Sequence, residues 1–274
     1  MELIYIAHQT PHVEAADLAG VDRVMVDLEI LGKQERQGHL DTVISAHTLA
    51  DVAFVRSRLT KARLMVRVNP IHDGSAAEIE AVVARGAEIV MLPMFMSVQE
   101  VETFVALVGG RARVSLLLET AQALGRAEQI LSVQGIDEVH FGLNDLHLAL
   151  GLDFMFELLT GGLLDHLARL CKAKGIRFGM GGIAIPGRGL LPADSILVEH
   201  ARLGSTQVIL SRDYRRLIDD RPIDAITADF AQAVRQVRQI YEQAQNASQL
   251  ELEKNRANVA ATVTRILAAQ LAKA

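Results

Sequence analysis

The chain has 274 residues, of which 50% are apolar and 22% charged, and its formal net charge is −5. This length and composition are typical of a globular protein and are sufficient for one α/β barrel, which takes about 250 residues. The mildly acidic charge, without a concentrated basic stripe, argues against nucleic-acid binding, and no apolar run reaches the length of about 18 residues that predicts a membrane span.

Eight short runs of mostly apolar residues recur along the chain, and each is followed by a segment with helical spacing or by a loop. The runs are nearly continuous and do not alternate with polar residues, which is typical of parallel strands covered on both faces. They lie at Leu3–Ile6, Arg23–Leu28, Arg63–Val68, Glu88–Leu92, Arg113–Leu118, Glu138–Phe141, Ile176–Met180 and Gln207–Leu210. No basic segment precedes the first run, so we expect a strand there and no signal peptide.

Turn signals between a helical segment and the next strand repeat in the same form. A glycine, an apolar residue and an acid occur together at Gly20–Asp22, Gly86–Glu88 and Gly135–Asp137. Such signals are expected where a chain turns sharply back into a sheet. Eight strand units favour a closed barrel over an open doubly wound sheet, and no Gly-x-Gly-x-x-Gly fingerprint follows the first strand. We therefore predict an α/β fold, a (β/α)₈ TIM barrel over residues 1–219.

Strand signals stop after about Asp219, and the rest of the sequence is helical in pattern. Apolar residues at spacings of three and four predict an amphipathic helix. These residues are Ile226, Phe230, Val234, Val237 and Tyr241. A capping box at Ser248–Glu251, like one at Ser75–Glu78, predicts a helix start, and the second helix extends to about Leu271. We expect residues 220–274 either to pack on the barrel or to pair with another subunit.

The chain has one cysteine, Cys171, within a helical segment. A single cysteine cannot form an internal disulfide, which indicates a reducing compartment. No histidine and asparagine motif accompanies it, so we expect a buried packing residue and not a nucleophile. Together with the charge, these features predict a cytoplasmic protein that binds neither nucleic acid nor membrane.

Acidic residues follow two neighbouring strands of the predicted barrel. Glu119 comes directly after the fifth strand, and Asp145 comes shortly after the sixth. The carboxyl ends of the strands carry the catalytic groups in this architecture, and a buried carboxylate without a partner is unfavourable. Mg²⁺ takes one or two protein carboxylates and fills its other positions with water and substrate oxygens. We therefore predict a divalent metal ion at Glu119 and Asp145; the alternative is that each acid pairs with an arginine or caps a helix.

An arginine, Arg67, lies near the end of the third strand and two residues before Asn69. Its planar guanidinium can present a fork of donors to a carboxylate or to a developing enolate oxygen. We predict that Arg67 binds substrate, and the alternative is an ion pair with Asp27 or Glu29 at the end of the second strand. Glu29 is itself a candidate catalytic residue because it lies at a strand end.

Five short motifs make the chain resemble a known family. They are Val26–Glu29, Val66–Pro70, Gly86–Pro93, Leu116–Thr120 and Phe141–Leu146. Each is weak alone, but five in order at predicted strand ends, over about residues 20–215, are fairly specific. The sequence resembles the HpcH/HpaI aldolase and citrate lyase β-subunit family, which uses the phosphoenolpyruvate/pyruvate type of TIM barrel and is usually oligomeric.

The resemblance implies roles for three residues that the strand ends had already singled out. Members of that family bind Mg²⁺, Mn²⁺ or Co²⁺ through a glutamate after strand 5 and an aspartate after strand 6, which fall on Glu119 and Asp145. The family's strand-3 arginine contacts the oxo acid or the enolate oxygen, which falls on Arg67. The resemblance also implies a small 2-oxo acid as substrate and a homo-oligomer.

The chain departs from the family pattern where an acid/base group is expected. Ile30 stands where aldolase members often carry a histidine, and Met94 stands where the CoA-ester lyase branch tends to carry a lysine. Candidates for the acid/base are His47, His8 and Arg36, and a hydroxide on the bound metal could substitute. A lone histidine is, however, more often a structural hydrogen-bonding group.

A glycine-rich segment, Gly181–Gly189, follows the seventh strand. Loops after the seventh and eighth strands of such barrels often bind phosphate or carboxylate through backbone amides, and Arg188 or Arg212 could supply charge. The alternative is that the glycines only permit tight turns. Gly142 and Asn144, at the end of the sixth strand, complete the candidate substrate-binding residues.

These features together predict a divalent-metal-dependent aldolase acting on a 4-hydroxy-2-oxo acid. The metal and Arg67 would stabilise the enolate formed when the C3–C4 bond breaks, since stabilisation of a developing charge is usually the largest catalytic term. No lysine lies at a predicted strand end, which argues against a Schiff-base mechanism. Two alternatives stay open: a CoA-ester lyase of the citrate lyase kind, and a non-catalytic barrel that acts as an interaction subunit through its C-terminal helices.

Overall fold

The computed structural model describes residues 1–32, 47–218 and 221–272. Within them eight parallel strands in sequence order close into a barrel, with β1 paired to β8. The strands are β1 (Glu2–Ile6), β2 (Arg23–Asp27), β3 (Arg63–Arg67), β4 (Ile89–Leu92), β5 (Arg113–Leu118), β6 (Glu138–Phe141), β7 (Arg177–Ile183) and β8 (Gln207–Leu210). The predicted TIM barrel is confirmed, and apart from the end of β7 each strand boundary lies within one residue of its predicted place.

The helices of the described ranges follow the strands and cover the barrel. They are α1 (Thr10–Leu18), α2 (Leu49–Arg58), α3 (Ser75–Ala84), α4 (Val98–Val108), α5 (Ala121–Gly125), α6 (Ala127–Ile130), α7 (Leu143–Ala149), α8 (Glu157–Thr160), α9 (Leu163–Ala173), α10 (Ala193–Leu203), α11 (Ile223–Gln245) and α12 (Gln249–Leu271). A 3₁₀ helix, Arg212–Leu217, lies between β8 and α11.

Side-chain caps fix several helix starts. The predicted box at Ser248 is confirmed, because its hydroxyl accepts from the Glu251 N–H at 3.3 Å and the Glu251 carboxylate accepts from the Ser248 N–H at 2.8 Å. The predicted box at Ser75 is wrong. Ser75 is already the first residue of α3, and its hydroxyl accepts from the His72 N–H at 2.9 Å. This helix therefore begins one residue earlier than the box implied.

The alternation of side chains along the strands sets the direction of the site residues. Successive residues of a barrel strand point to the interior and to the helix layer in turn. The cluster inside the barrel consists of Ile4, Met25, Met65, Ile89, Met91 and Leu117. Residues two positions further along the same strands also point inward, at the carboxyl ends of the strands. On β2, β3 and β5 these positions hold Asp27, Arg67 and Glu119.

A buried ion network closes the amino-terminal end of the barrel. Arg23 is 1% exposed and donates to both oxygens of Glu138, to Glu2 and to Gln207. Arg177 donates to Glu138 at 3.1 Å. Burial acts to lower the pKa of Arg23, but the carboxylates of Glu138 and Glu2 raise it above its usual value. This end serves stability, as in other barrels of this fold, and the opposite end is left for chemistry.

The two C-terminal helices pack on the barrel of their own chain. α11 lies against α1 and α10 and buries its predicted apolar face. The residues of this face are Ile226, Phe230, Val234, Val237 and Tyr241. α12 contacts α10 and α8, and its Asn255 donates to Glu199 at 2.9 Å. Within the described ranges, none of the helices has the length and apolar content that crossing a membrane requires.

Candidate active site

Glu119 lies at the mouth of the barrel, one residue after the end of β5. Its side chain is 4% exposed, and its Oε1 accepts from the Met94 N–H at 3.2 Å. Met94 follows β4 in the left-handed region, with a φ of 53°, which is uncommon for a residue other than glycine. A Cβ atom on Gly142, directly after β6, would come within 2.7 Å of both Cβ and Oε2 of Glu119. The carboxylate is therefore held between the ends of β4 and β6.

Two further acids lie close enough to Glu119 to affect its charge. Burial raises the pKa of Glu119 well above its usual value, and the charges of Asp145 and Glu29 raise it further. Arg67 and the Met94 N–H act in the opposite direction. Asp145 lies half-buried in the first turn of α7. The charge of Asp145 thus acts on Glu119, and repulsion between two carboxylates favours an added positive charge.

The chemistry of this pair suits a hard divalent cation. Carboxylate oxygens are ligands that Mg²⁺ and Mn²⁺ prefer, and Mg²⁺ commonly takes only one or two from the protein. Among the residues that the structure describes, no group of three or more His, Cys, Asp or Glu side chains could enclose an ion. An ion held by two carboxylates fills its remaining positions with water and substrate oxygens. The two residues fit such an ion.

Arg67 pairs with Asp27 across neighbouring strands. The register of β2 and β3 places the two residues opposite each other. Nε of Arg67 donates to Oδ1 of Asp27 at 2.8 Å, and Nη2 donates to Oδ2 at 2.7 Å. Nε also lies 3.5 Å from Oε2 of Glu29. The ion pair that the sequence offered as an alternative for Arg67 is therefore present.

The ion pair leaves one edge of the guanidinium available. The Arg67 side chain is 14% exposed, and in the described chain its bonds to acids use Nε and Nη2, not Nη1. Burial acts to lower the pKa of Arg67, but Asp27, Glu29 and Glu119 raise it above its usual value, so the group stays charged. Nη1 is the nitrogen through which Arg67 can contact an oxyanion while Asp27 holds the guanidinium in place.

The rings of His47 and His8 contact each other near the end of β2 at an interplanar angle of 44°. Their ring centroids are 3.9 Å apart, and Nδ1 of His47 accepts from the Asp27 backbone N–H at 2.9 Å. Burial first, and then the charge of His8, lowers the pKa of His47 to about 4, so the ring is neutral near neutral pH. With Nδ1 accepting, the proton of the neutral ring is on Nε2. His47 is therefore placed to donate a hydrogen bond through Nε2–H and not to accept a proton.

Asn69, which the sequence did not single out for function, fixes the start of the loop after β2. Its Oδ1 accepts from the N–H of Ile30 at 2.9 Å and of Leu31 at 3.0 Å. Its Nδ2 donates to Glu78 of α3 at 2.8 Å. An Asn-Pro pair after a strand is a turn signal, but the sequence does not show that its side chain reaches another strand end. The candidate Arg36 lies outside the described residues.

The sequence matches the model of a known protein family over most strands of the barrel. Residues 3–177 match the family model described as HpcH/HpaI aldolase/citrate lyase. The chain belongs to this family. The HpcH/HpaI resemblance of the strand-end motifs is thereby confirmed. No curated protein matches the chain in sequence.

Solved structures share the fold of this HpcH/HpaI-family member at low sequence identity. The HpcH/HpaI aldolase from Desulfitobacterium hafniense DCB-2 has a TM-score of 0.59 and 16% identity, covering 86% of this chain and 92% of that chain. An HpcH/HpaI aldolase/citrate lyase family protein from Burkholderia cenocepacia J2315 has a TM-score of 0.62 and 16% identity, covering 86% and 94%. Citrate synthase SbnG has a TM-score of 0.59 and 18% identity, covering 86% and 93%. These similarities show the fold alone.

The other substrate-binding candidates of this family member are spread over segments that follow β6, β7 and β8. Gly142 borders Glu119, and Asn144 is half-buried in the first turn of α7. Arg188 is exposed on the loop after β7, and Arg212 is exposed at the start of the 3₁₀ helix after β8. Their part in substrate binding stays a prediction.

β7 is longer than the sequence indicated and takes up part of the glycine-rich segment. The strand runs to Ile183, so Gly181 and Gly182 belong to it and not to a loop. Glycine weakens the strand pattern in a sequence, but Gly182 still pairs with β8, across a bulge. His140 of β6, another residue that the sequence passed over, hydrogen-bonds through Nε2 to the Gly181 carbonyl at 2.8 Å. Burial lowers the pKa of His140 to about 4, so the ring that makes this hydrogen bond is neutral near neutral pH.

Cys171 is a packing residue, as expected from the sequence. The side chain is buried in α9, and no described cysteine pairs with it. Burial raises the pKa of the thiol to about 12. Because the thiolate is the nucleophilic form of cysteine, Cys171 is unreactive near neutral pH.

Proposed function

We propose that this HpcH/HpaI-family protein is a divalent-metal-dependent aldolase that cleaves or forms a 4-hydroxy-2-oxo acid through a pyruvate-type enolate. The observation that carries the proposal is the buried carboxyl of Glu119, on which the charges of Asp145 and of the fixed guanidinium of Arg67 both act. Two carboxylates can hold a cation, and an arginine next to them can bind the negative oxygens of a 2-oxo acid. Membership of a family of aldolases and citrate lyases supports a carbon–carbon lyase.

Each residue of the site has a defined part in this proposal. Glu119 and Asp145 hold the metal ion, which supplies a Lewis acid that polarises the oxo group when it is bound. Arg67 orients the substrate through Nη1 and stabilises the negative charge that develops on its oxygen. Because Asp27 fixes the guanidinium before the substrate arrives, little reorganisation accompanies the reaction, and such preorganised donors are the most effective ones.

Hydrogen bonding and proton transfer in the proposal fall to groups beside Arg67. His47 donates a hydrogen bond through its Nε2–H. Glu29 is 2% exposed, lies beside Arg67 and influences Glu119, so it is the candidate to accept the proton of the C4 hydroxyl. The proposal also includes a small 2-oxo acid as the substrate and a homo-oligomer as the working form, which the family resemblance implies.

Exchange of the methyl protons of pyruvate in heavy water, followed by proton NMR, tests enolate formation directly. We expect exchange in the presence of Mg²⁺ or Mn²⁺ and none after treatment with EDTA. Arg67→Met removes the donor to the enolate oxygen and should slow exchange by about 100-fold or more. Arg111→Met is the matched control, because this arginine is 41% exposed in an ion pair with Glu80 on the helix layer, and it should leave the rate unchanged.

Equal exchange in EDTA-treated and metal-loaded protein would contradict the proposal. Exchange that requires a CoA thioester would instead place the protein in the CoA-ester lyase branch. Absence of exchange under all conditions, in protein that remains folded, would favour the non-catalytic barrel.

A further inference from the structure

Most of the exposed large apolar side chains lie on segments that follow a small number of the strands. The described chain exposes nine of them, and six lie on segments that follow β2, β4, β6 and β7. These six are Ile30, Leu31, Met96, Leu148, Leu150 and Leu190. The other three, Leu18, Leu250 and Leu271, lie in helices α1 and α12. Single exposed apolar residues need no explanation, but a concentration around a candidate site does.

Three of the six residues lie next to groups of the acid site. Ile30 is 56% exposed and follows Glu29, and Met96 is 47% exposed and lies two residues after Met94, whose N–H donates to Glu119. Leu148 is 40% exposed and lies three residues after Asp145, so both lie on the same face of α7. We refer to Ile30, Met96 and Leu148 as the apolar rim.

The backbone of the rim is fixed by hydrogen bonds within the described chain. The Ile30 N–H donates to Asn69 at 2.9 Å. The Met96 N–H donates to Oε2 of Glu100, which belongs to the capping box of α4, at 2.8 Å. Leu148 lies within α7. Apolar side chains on a fixed backbone form a surface that a ligand can contact without first having to order it, which favours binding.

The position of the rim determines which part of a substrate it would meet. The carboxylate and oxo oxygens of a 2-oxo acid occupy the metal and Arg67 in the proposed function. The remaining carbons of the substrate must then leave the mouth of the barrel past the residues that adjoin this site. The residues that follow Glu29, Met94 and Asp145 closely along the chain include Ile30, Met96 and Leu148, and these three are apolar and exposed.

We propose that the apolar rim binds an alkyl chain beyond the reacting carbons, so that the preferred substrate is a 2-oxo acid, or its aldehyde partner, with an uncharged hydrophobic tail. This inference rests on the proposed function, because it takes the oxo-acid head to lie at Glu119, Asp145 and Arg67. Burial of apolar surface should tighten binding by about two- to fourfold for each added methylene.

Isothermal titration of the Mn²⁺-loaded protein with straight-chain 2-oxo acids, from pyruvate to 2-oxooctanoate, tests the inference. We expect the Kd to fall about two- to fourfold per methylene in the native protein. Met96→Gln and Leu148→Asn keep the side-chain size and remove the apolar surface, so they should flatten this dependence and leave the Kd of pyruvate unchanged. Leu250→Asn is the matched control, since Leu250 is 64% exposed on α12, and it should retain the full dependence.

The outcomes separate the rim from the proposed function. If pyruvate binds and exchanges its methyl protons but the Kd does not depend on chain length, the rim proposal is wrong and the aldolase proposal stands. If pyruvate neither binds nor exchanges, the aldolase proposal fails and the rim proposal fails with it. If the rim variants keep the chain-length dependence but alter the mass measured by light scattering, the rim is a contact between copies of the chain and the substrate inference is overturned.

Discussion

Substitution of Gly142 by alanine tests the placement of the Glu119 carboxylate. Gly142 has φ −79° and ψ 84°, close to an inverse γ-turn conformation that alanine can adopt without strain. Its added Cβ would lie 2.7 Å from Cβ and 2.7 Å from Oε2 of Glu119, and 3.3 Å from Cδ1 of Leu117. The Cβ of Glu119 is fixed to the backbone after β5, so the ends of β5 and β6 have to separate and the carboxylate has to move away from Gly142.

The size of the effect follows from the change in contacts. Insertion of one methyl group into a close-packed site destabilises a fold by about 1–3 kcal/mol. Displacement of a metal ligand should lower the affinity for the metal by about 10- to 100-fold. This is the range found when the groups that position a ligand are changed. A Mn²⁺ titration of Gly142→Ala, monitored by calorimetry or by electron paramagnetic resonance of the free ion, measures this loss directly.

Gly125→Ala is the matched control for the same chemical change. Gly125 lies in α5 after β5, and a Cβ built there meets no heavy atom within 4 Å. The substitution should leave the Mn²⁺ affinity unchanged and should alter stability by no more than about 1 kcal/mol, in the stabilising direction. Native Mn²⁺ affinity in Gly142→Ala, in a protein that is folded, would refute the assignment of Glu119 as a metal ligand held against β6.

Three further predictions concern ionisable side chains of the barrel. His200 is fully buried and its pKa is lowered to about 3 by burial and by His140, so the unfolded chain takes up the proton first and stability falls as pH drops below about 6.5. His200→Gln should therefore reduce the loss of unfolding free energy between neutral pH and pH 5 by about 2 kcal/mol, measured by urea titration. Arg23→Met leaves the buried Glu138 without its main cation and should destabilise the fold by about 3–5 kcal/mol, while Mn²⁺ affinity in the folded protein is retained. Asp27→Asn removes the charged partner of Arg67 and should slow pyruvate exchange by about 10-fold or more, with a smaller effect on Mn²⁺ affinity; an unchanged exchange rate would contradict the proposed orienting role.

The architecture could be predicted from the sequence because burial on both faces leaves a strong signal. A parallel strand covered by helices is apolar along its whole length, and the runs at β5 and β6 coincide with the observed strands. The location of Glu119 and Asp145 followed from the same signal, since both come after such a run. The end of β7 could not be predicted in this way, because Gly181 and Gly182 carry no apolar side chain although Gly182 pairs with β8.

The contacts within the site depend on information that a single sequence does not contain. The bond between Arg67 and Asp27 requires the register of β2 against β3, and the contact of Gly142 with Glu119 requires the distance between the ends of β5 and β6. The left-handed backbone conformation of Met94 could not be predicted from the sequence either, because methionine rarely adopts it. Non-glycine residues in this region are often found at functional sites, where the surroundings hold them in place. Here the conformation directs the Met94 N–H to Glu119.

The ion pair of Arg67 bears on the charge balance at Glu119. Nε and Nη2 of Arg67 are bonded to Asp27, so the described chain offers Glu119 one backbone N–H, that of Met94, as a donor. A carboxylate that is 4% exposed and near Asp145 is poorly compensated by one such bond. A proton or, in the proposed function, a divalent cation can supply the missing charge at Glu119. The pairing of Asp27 with Arg67 is therefore compatible with the proposed metal site: it occupies Nε and Nη2 of the guanidinium, and the hydrogen bond to the Glu119 carboxylate comes from the Met94 N–H.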